Sequence, residues 1–401
     1  MEFEIWWLVA LPVFFGMGWI AARVDLKSLL SESRSMPSSY FRGLNFLLNE
    51  QPDKAIESFL QVAKENPQTV ELQFALGCLF RRRGEVDRAI RMHQDLVNRD
   101  DLPSESRRAA SLELAEDYFK AGLLDHAERV LAKMAETDTS PEVHRRLLDI
   151  YIQEKDWEKA IDAAKKLEVS AKRDYQKEIA NYYCELATTE RVHGRGDAAQ
   201  AHLARAIESN RKCVRANVLR GEWLARDGRH QEAIEAWKAI ESQDPAYFGL
   251  AAEGMVESYK ALGRLGEGLA LLRGLQHRYP GIDLLNVVYQ ATAEHEGDEA
   301  AWRLVREEVR RNPTLVGLDR LIDAELVRAA PERRQDLQLM KNLVHSHAQA
   351  LAVYLCANCG FKARQFFWQC PACGGWETFP PRRTAELEGP GRHLARMQIG
   401  Q

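Results

Sequence analysis

The sequence predicts an all-α repeat solenoid, with a membrane-spanning helix before it and a small cysteine knuckle after it. Three observations carry this. A small residue recurs about every 34 positions, the run from Ile5 to Ala22 is uncharged, and two C-x-x-C pairs lie near the C-terminus. The 401 residues, 45% hydrophobic and 28% charged, suffice for a long repeat array with its own core. The net charge of −4 offers no concentrated basic surface, so a nucleic-acid partner is not expected.

The chain opens MEFEIWWLVALPVFFGMGWIAARVDLK. The apolar stretch Ile5–Ala22, rising about 1.5 Å per residue, comes to about 27 Å, close to the hydrocarbon thickness of a bilayer. Trp6, Trp7 and Trp19 stand near its ends, where indole rings favour the headgroup region. A cleaved signal peptide is the rival reading. It wants a basic leader, whereas Glu2 and Glu4 lead here and Arg23 follows the run directly. Arg23, Lys27, Arg34 and Arg42 all follow the span, which places the N-terminus outside and the C-terminal part in the cytoplasm. The polar stretch SLLSESRSMPSS then reads as a linker.

Beyond the linker the sequence echoes itself. A small residue opens the second helix of each unit at Ala55, Ala89, Ala127, Ala160, Ala199 and Ala233, with weaker echoes at Gly268 and Trp302. Gly84, Gly194, Gly228 and Gly263 stand five residues before a marker, where the chain must turn between helices and a left-handed backbone is needed. Phe59 and Trp237 follow their markers by one helical turn and should fill the core. Pro67, Pro245 and Pro280 should end the second helices. These units resemble tetratricopeptide repeats, about eight of them. Arrays of that kind bind peptides or protein surfaces and carry no chemistry, so a scaffold rather than an enzyme is implied, with no catalytic residues. Tyr40, Leu44, Leu47, Phe74, Arg81 and Arg82 are candidates for groove positions, with ordinary packing or solvated roles as the plainer reading.

Four of the seven cysteines fall within eighteen residues, in CANCGFKARQFFWQCPACGG. Cys356, Cys359, Cys370 and Cys373 can present four thiolates in a tetrahedron, which suits one zinc or iron ion. Gly360 and Gly374 permit knuckle turns whose N–H groups point at sulfur. Disulfides or free thiols are the alternatives. Cys78, Cys184 and Cys213 read as isolated buried thiols, as in a reducing compartment. His345 and His347 lie nearby, but four cysteines already complete a coordination sphere, so solvated or capping roles are expected for both. The cluster resembles a rubredoxin-type or zinc-ribbon module. It is rich in aromatic residues, including Phe366, Phe367, Trp368, Trp376 and Phe379. Some should form its own core, and the rest should dock on the last helices, since so large an apolar surface is unfavourable in water.

The order of these parts resembles the lipopolysaccharide assembly protein B family over essentially the whole chain. The boundaries are an anchor at 1–27, a linker at 28–39, repeats at 40–312, capping helices at 313–352, the metal module at 353–379 and a flexible tail at 380–401. The resemblance implies a single-pass bacterial inner-membrane adaptor controlling lipopolysaccharide synthesis. It also implies that the adaptor brings the deacetylase LpxC to the protease FtsH. A homodimer is compatible with all of this. Two other functions remain open: a redox carrier using a tetrathiolate iron site, and a membrane-anchored chaperone or assembly factor.

Overall fold

A computed structural model of the chain describes residues 38–49, 51–65, 69–279, 284–351 and 354–381. The expected anchor, nearly all of the linker, Pro67, Pro280 and the tail beyond 381 lie outside the described residues. No helix among the described residues is long and apolar enough to cross a membrane.

The chain divides into two compact units between Glu154 and Lys155. The first holds α1 (Ser38–Leu48), α2 (Pro52–Glu65), α3 (Val70–Arg83), α4 (Val86–Val97), α5 (Ser104–Lys120), α6 (Leu124–Ala135) and α7 (Pro141–Glu154). The second begins with α8 (Trp157–Ala171), α9 (Gln176–Val192), α10 (Gly196–Ser209), α11 (Val214–Arg226), α12 (His230–Lys238) and α13 (Ile240–Gln243). It continues through a 3-10 helix, η1 (Pro245–Leu250), to α14 (Ala252–Ala261), α15 (Leu265–Arg278), α16 (Leu285–Glu296) and α17 (Asp298–Arg311). The capping helices are α18 (Leu315–Arg328) and α19 (Pro331–Leu351). A two-stranded antiparallel ribbon follows, β1 (Tyr354–Leu355) with β2 (Lys362–Ala363).

The turn glycines act as expected. Gly84 ends α3 at φ 86°, and the N–H of Glu85 reaches back to the Phe80 carbonyl at 2.8 Å. The N–H groups of Arg195, Arg229 and Arg264 make the same bond after Gly194, Gly228 and Gly263. These bonds satisfy carbonyls that the helix end leaves free. Ala55, Ala89, Ala127, Ala160, Ala199 and Ala233 have no exposed surface, so the repeat register holds at all six.

The last repeat corrects the expectation at Trp302. Gly297 both ends α16 and caps α17, so this turn is one residue shorter than the one at Gly84–Glu85. The buried slot therefore falls on Ala301, which has no exposed surface. Trp302 is only half-buried. Its Nε1–H donates to Glu325 at 2.8 Å, and the Arg306 and Arg328 guanidiniums lie over its ring.

Candidate metal centre and its docking groove

The four expected ligands come together. Cys356 Sγ lies 3.8 Å from Cys373 Sγ, and Cys359 Sγ lies 3.7 Å from Cys370 Sγ. A tetrahedron of sulfurs about 2.3 Å from one ion has edges of about 3.8 Å, so these residues fit a single ion. Each knuckle closes by a glycine at positive φ, Gly360 at 74° and Gly374 at 69°. The Gly360 N–H bonds the Cys356 carbonyl at 3.0 Å, and the Gly374 N–H bonds the Cys370 carbonyl at 2.8 Å. Cys356 and Cys370 are buried, whereas Cys359 and Cys373 are exposed.

The electrostatics suit a cation. Burial opposes ionisation of Cys356, but the Thr378 hydroxyl and the N–H groups of Cys359 and Asn358 outweigh it and bring the thiol down to about 6. For Cys359 the Phe361 N–H favours the thiolate. Partial desolvation by its neighbours and the sulfurs of Cys356, Cys373 and Cys370 win there and push the exposed thiol up to about 12. Four sulfurs this close cannot all ionise without a positive centre among them, and a metal ion supplies one.

Phe379, with Phe361 and Phe367 edge-on to it, forms the inner core of the module. The other aromatics dock, but not on the last helices. They enter the face formed by α8, α9, α11 and η1. Trp376 meets Trp157 and Tyr182 edge-on, with ring centres 6.4 and 6.0 Å away. Trp368 stacks on Tyr247 at 5.7 Å and 6°, and Phe366 packs edge-on against Trp368 at 4.9 Å. The Arg215 guanidinium lies over both tryptophans, 5.8 Å from Trp368 and 5.4 Å from Trp376, while Nη2 holds Glu185 at 2.8 Å. Cation–π attraction of this kind compensates a nearly buried charge. Glu377 also enters this face. Its carboxylate accepts from Asn181 Nδ2 at 3.2 Å and from the Cys213 thiol at 3.8 Å. The middle of the unit is chosen because its helices present aromatic faces. The residues that do so, Trp157, Tyr182 and Tyr247, were not singled out from the sequence, because nothing in their spacing sets them apart from other aromatics of the helices.

Of the other cysteines, Cys184 and Cys213 are not isolated: their sulfurs are 3.9 Å apart. His345 bonds Asp319 at 3.1 Å. In the first unit Cys78, His93 and Glu113 also converge. There Arg81 already supplies the cation, 2.6 Å from Glu113 and 2.7 Å from Asp117, and burial chiefly pushes the Cys78 thiol up to about 11. That cluster is an ion-pair network tying α3 to α5, which commits Arg81 internally. A groove of about 760 Å³ opens beside it, lined by Arg81, Glu116, Glu142, Arg145, Arg146 and Asp149.

Comparison with known proteins agrees with these parts. A rubredoxin metal binding domain family matches residues 354–381, and a tetratricopeptide repeat family matches 42–96 and 184–247. Lipopolysaccharide assembly protein B of Escherichia coli K12 is 33% identical over 93% of this chain and 97% of its own length. The Haemophilus influenzae protein of that name is 28% identical over 92% and 96%. A thermophilic tetratricopeptide-repeat protein of Thermus thermophilus is 22% identical over 45% of this chain and 94% of its own, with a TM-score of 0.28.

Proposed function

The chain belongs to the lipopolysaccharide assembly protein B family, and from that premise we propose that it is a non-enzymatic adaptor of lipopolysaccharide assembly. In this reading residues 1–27 tether it to the inner membrane, N-terminus outside, and the repeats and cysteine module work in the cytoplasm. Cys356, Cys359, Cys370 and Cys373 hold one zinc or iron ion. The partners are LpxC, the FtsH protease and other enzymes of the pathway, with LpxC presented for proteolysis. The alignment over both the repeats and the cysteine module carries the reading, because it spans 93% of the chain. The groove lined by Arg145 and Arg146 offers a partner an open polar surface, whereas the module already fills the groove of the second unit.

Affinity capture from cross-linked membranes tests this. LpxC and FtsH should be recovered with the full chain, and recovery should fall when residues 1–25 are removed, because tethering raises local concentration. Arg145→Glu combined with Arg146→Glu should also weaken capture. If neither protein is recovered, and LpxC lifetime is the same in cells lacking the chain, the adaptor reading fails. The exposed edge formed by Cys359 and Cys373 favours one other reading, an electron carrier. A purified protein that is red and iron-loaded, and inactive with zinc, would support that instead.

A further inference from the structure

We propose that Cys184 and Cys213 form a latent redox site: a dithiol that the docked cysteine module shields, and that hydroperoxides oxidise to a disulfide once the module leaves. The two sulfurs lie 3.9 Å apart, one from α9 and one from the residue that caps α11. Both residues have no exposed surface. Ala180, Ala187, Ala199, Leu203, Ala216 and Trp223 share their cluster, while Thr188 and Gln243 bond the backbone carbonyls of Cys184 and Cys213. A carboxylate that reaches a sulfur of the pair comes from Glu377 of the module, 3.8 Å from Cys213 Sγ across 164 residues of sequence. A buried cysteine with only a packing role needs no such partner. Here a separately folded module places a carboxylate against one thiol of a close pair.

The chemistry balances with a hydroperoxide as oxidant. In the opened groove one thiolate attacks the peroxide and breaks the O–O bond: a sulfenic acid forms, and the other oxygen leaves after proton uptake, as water from hydrogen peroxide or as an alcohol from an organic hydroperoxide. The second thiol attacks that sulfur, loses its proton and expels the sulfenic oxygen as water. The sulfurs need to close from 3.9 Å to a bond of about 2.05 Å. While the module is docked, burial pushes the Cys184 thiol up and keeps oxidant out, so the pair is inert. Oxidation also has a consequence for docking. A disulfide has no S–H to give Glu377, so the buried carboxylate loses a donor and the module returns less readily. The disulfide therefore records that the module has been released.

The test uses the full-length protein, holds whether or not the chain serves lipopolysaccharide assembly, and reads peptides by mass spectrometry after peroxide treatment and N-ethylmaleimide quenching. Two treatments release the module: phenanthroline, which removes zinc or iron, and Glu377→Lys, which sets an ammonium against Lys177 and Arg215 without touching the metal ligands. Cleavage within 354–381 by added protease reports release, and circular dichroism checks that the helices remain. The Cys184–Cys213 disulfide should rise by about tenfold or more over the metal-loaded wild type, since reaction of a buried group follows its opening equilibrium. Equal oxidation of the wild type would overturn the proposal. So would no disulfide in a released, still helical protein, or a module that neither treatment releases.

Discussion

Glu377 carries a carboxylate from the cysteine module into the groove of the second unit, and its titration makes docking depend on pH. Burial raises the carboxyl above its ordinary 4.5, against the opposing effects of Asn181, Lys177, Cys213 and Arg215. A carboxyl raised in the docked state holds its proton more tightly there than in water. Its contribution is therefore full below the free value and is lost as pH rises through the raised one. Protease cleavage within 354–381, compared between wild type and Glu377→Gln, should show a difference that grows as pH rises from 4.5. Taking the difference cancels the titration of the cysteine thiols common to both. A difference that is flat with pH would mean that Glu377 is not desolvated. The four clustered cysteines were legible in the sequence because their spacing is local and the coordination rule acts within one turn. Cys184 and Cys213, 29 residues apart, carry no such mark, since only the stacking of α9 on its neighbours brings them together.

Some helix pairs, α1–α2 and α11–α12 among them, are held by a contact between a glycine and a large residue. A Cβ on Gly221 would lie 2.2 Å from Trp237 Nε1, and one on Gly43 would lie 2.6 Å from the Phe59 ring. Trp237 is nearly without exposed surface, and its Nε1–H is held by the Val218 carbonyl at 3.2 Å. Gly221→Ala should therefore force the indole aside and cost about 1–3 kcal/mol, as should Ala233→Leu on the facing helix. Thermal unfolding of the full chain measures both, and an unchanged profile for either would refute the packing. This level was readable from sequence because a hairpin sets its own turn and its own small residue. Two elements were not. The 3-10 helix η1 follows from Pro245 and the Asp244 side chain accepting from the Ala246 N–H, a cap that leaves no periodic trace. The short turn at Gly297 moves the buried slot by one residue, which a fixed spacing rule cannot anticipate.

For the whole molecule, the question is which part depends on the metal. The module has only a small core around Phe379, so ion binding must supply much of its folding free energy. Its docking face, by contrast, is built from Trp157, Tyr182, Arg215 and Tyr247 of helices that have their own core. The sequence foretold a docked module but not its seat, because residues near in sequence are not those nearest in a folded repeat array. Cys356→Ser replaces a soft thiolate by a hard hydroxyl and removes the sulfur that Thr378 and two backbone N–H groups stabilise. Metal content should fall well below one ion per chain, and residues 354–381 should become sensitive to protease. The repeats of the first unit should stay protected, because helical repeats are held mainly by their nearest neighbours. Limited proteolysis with metal analysis separates the outcomes. Loss of protection throughout the first unit would show that the ion stabilises the whole array, and full metal content with an intact module would show that Cys356 is not a ligand.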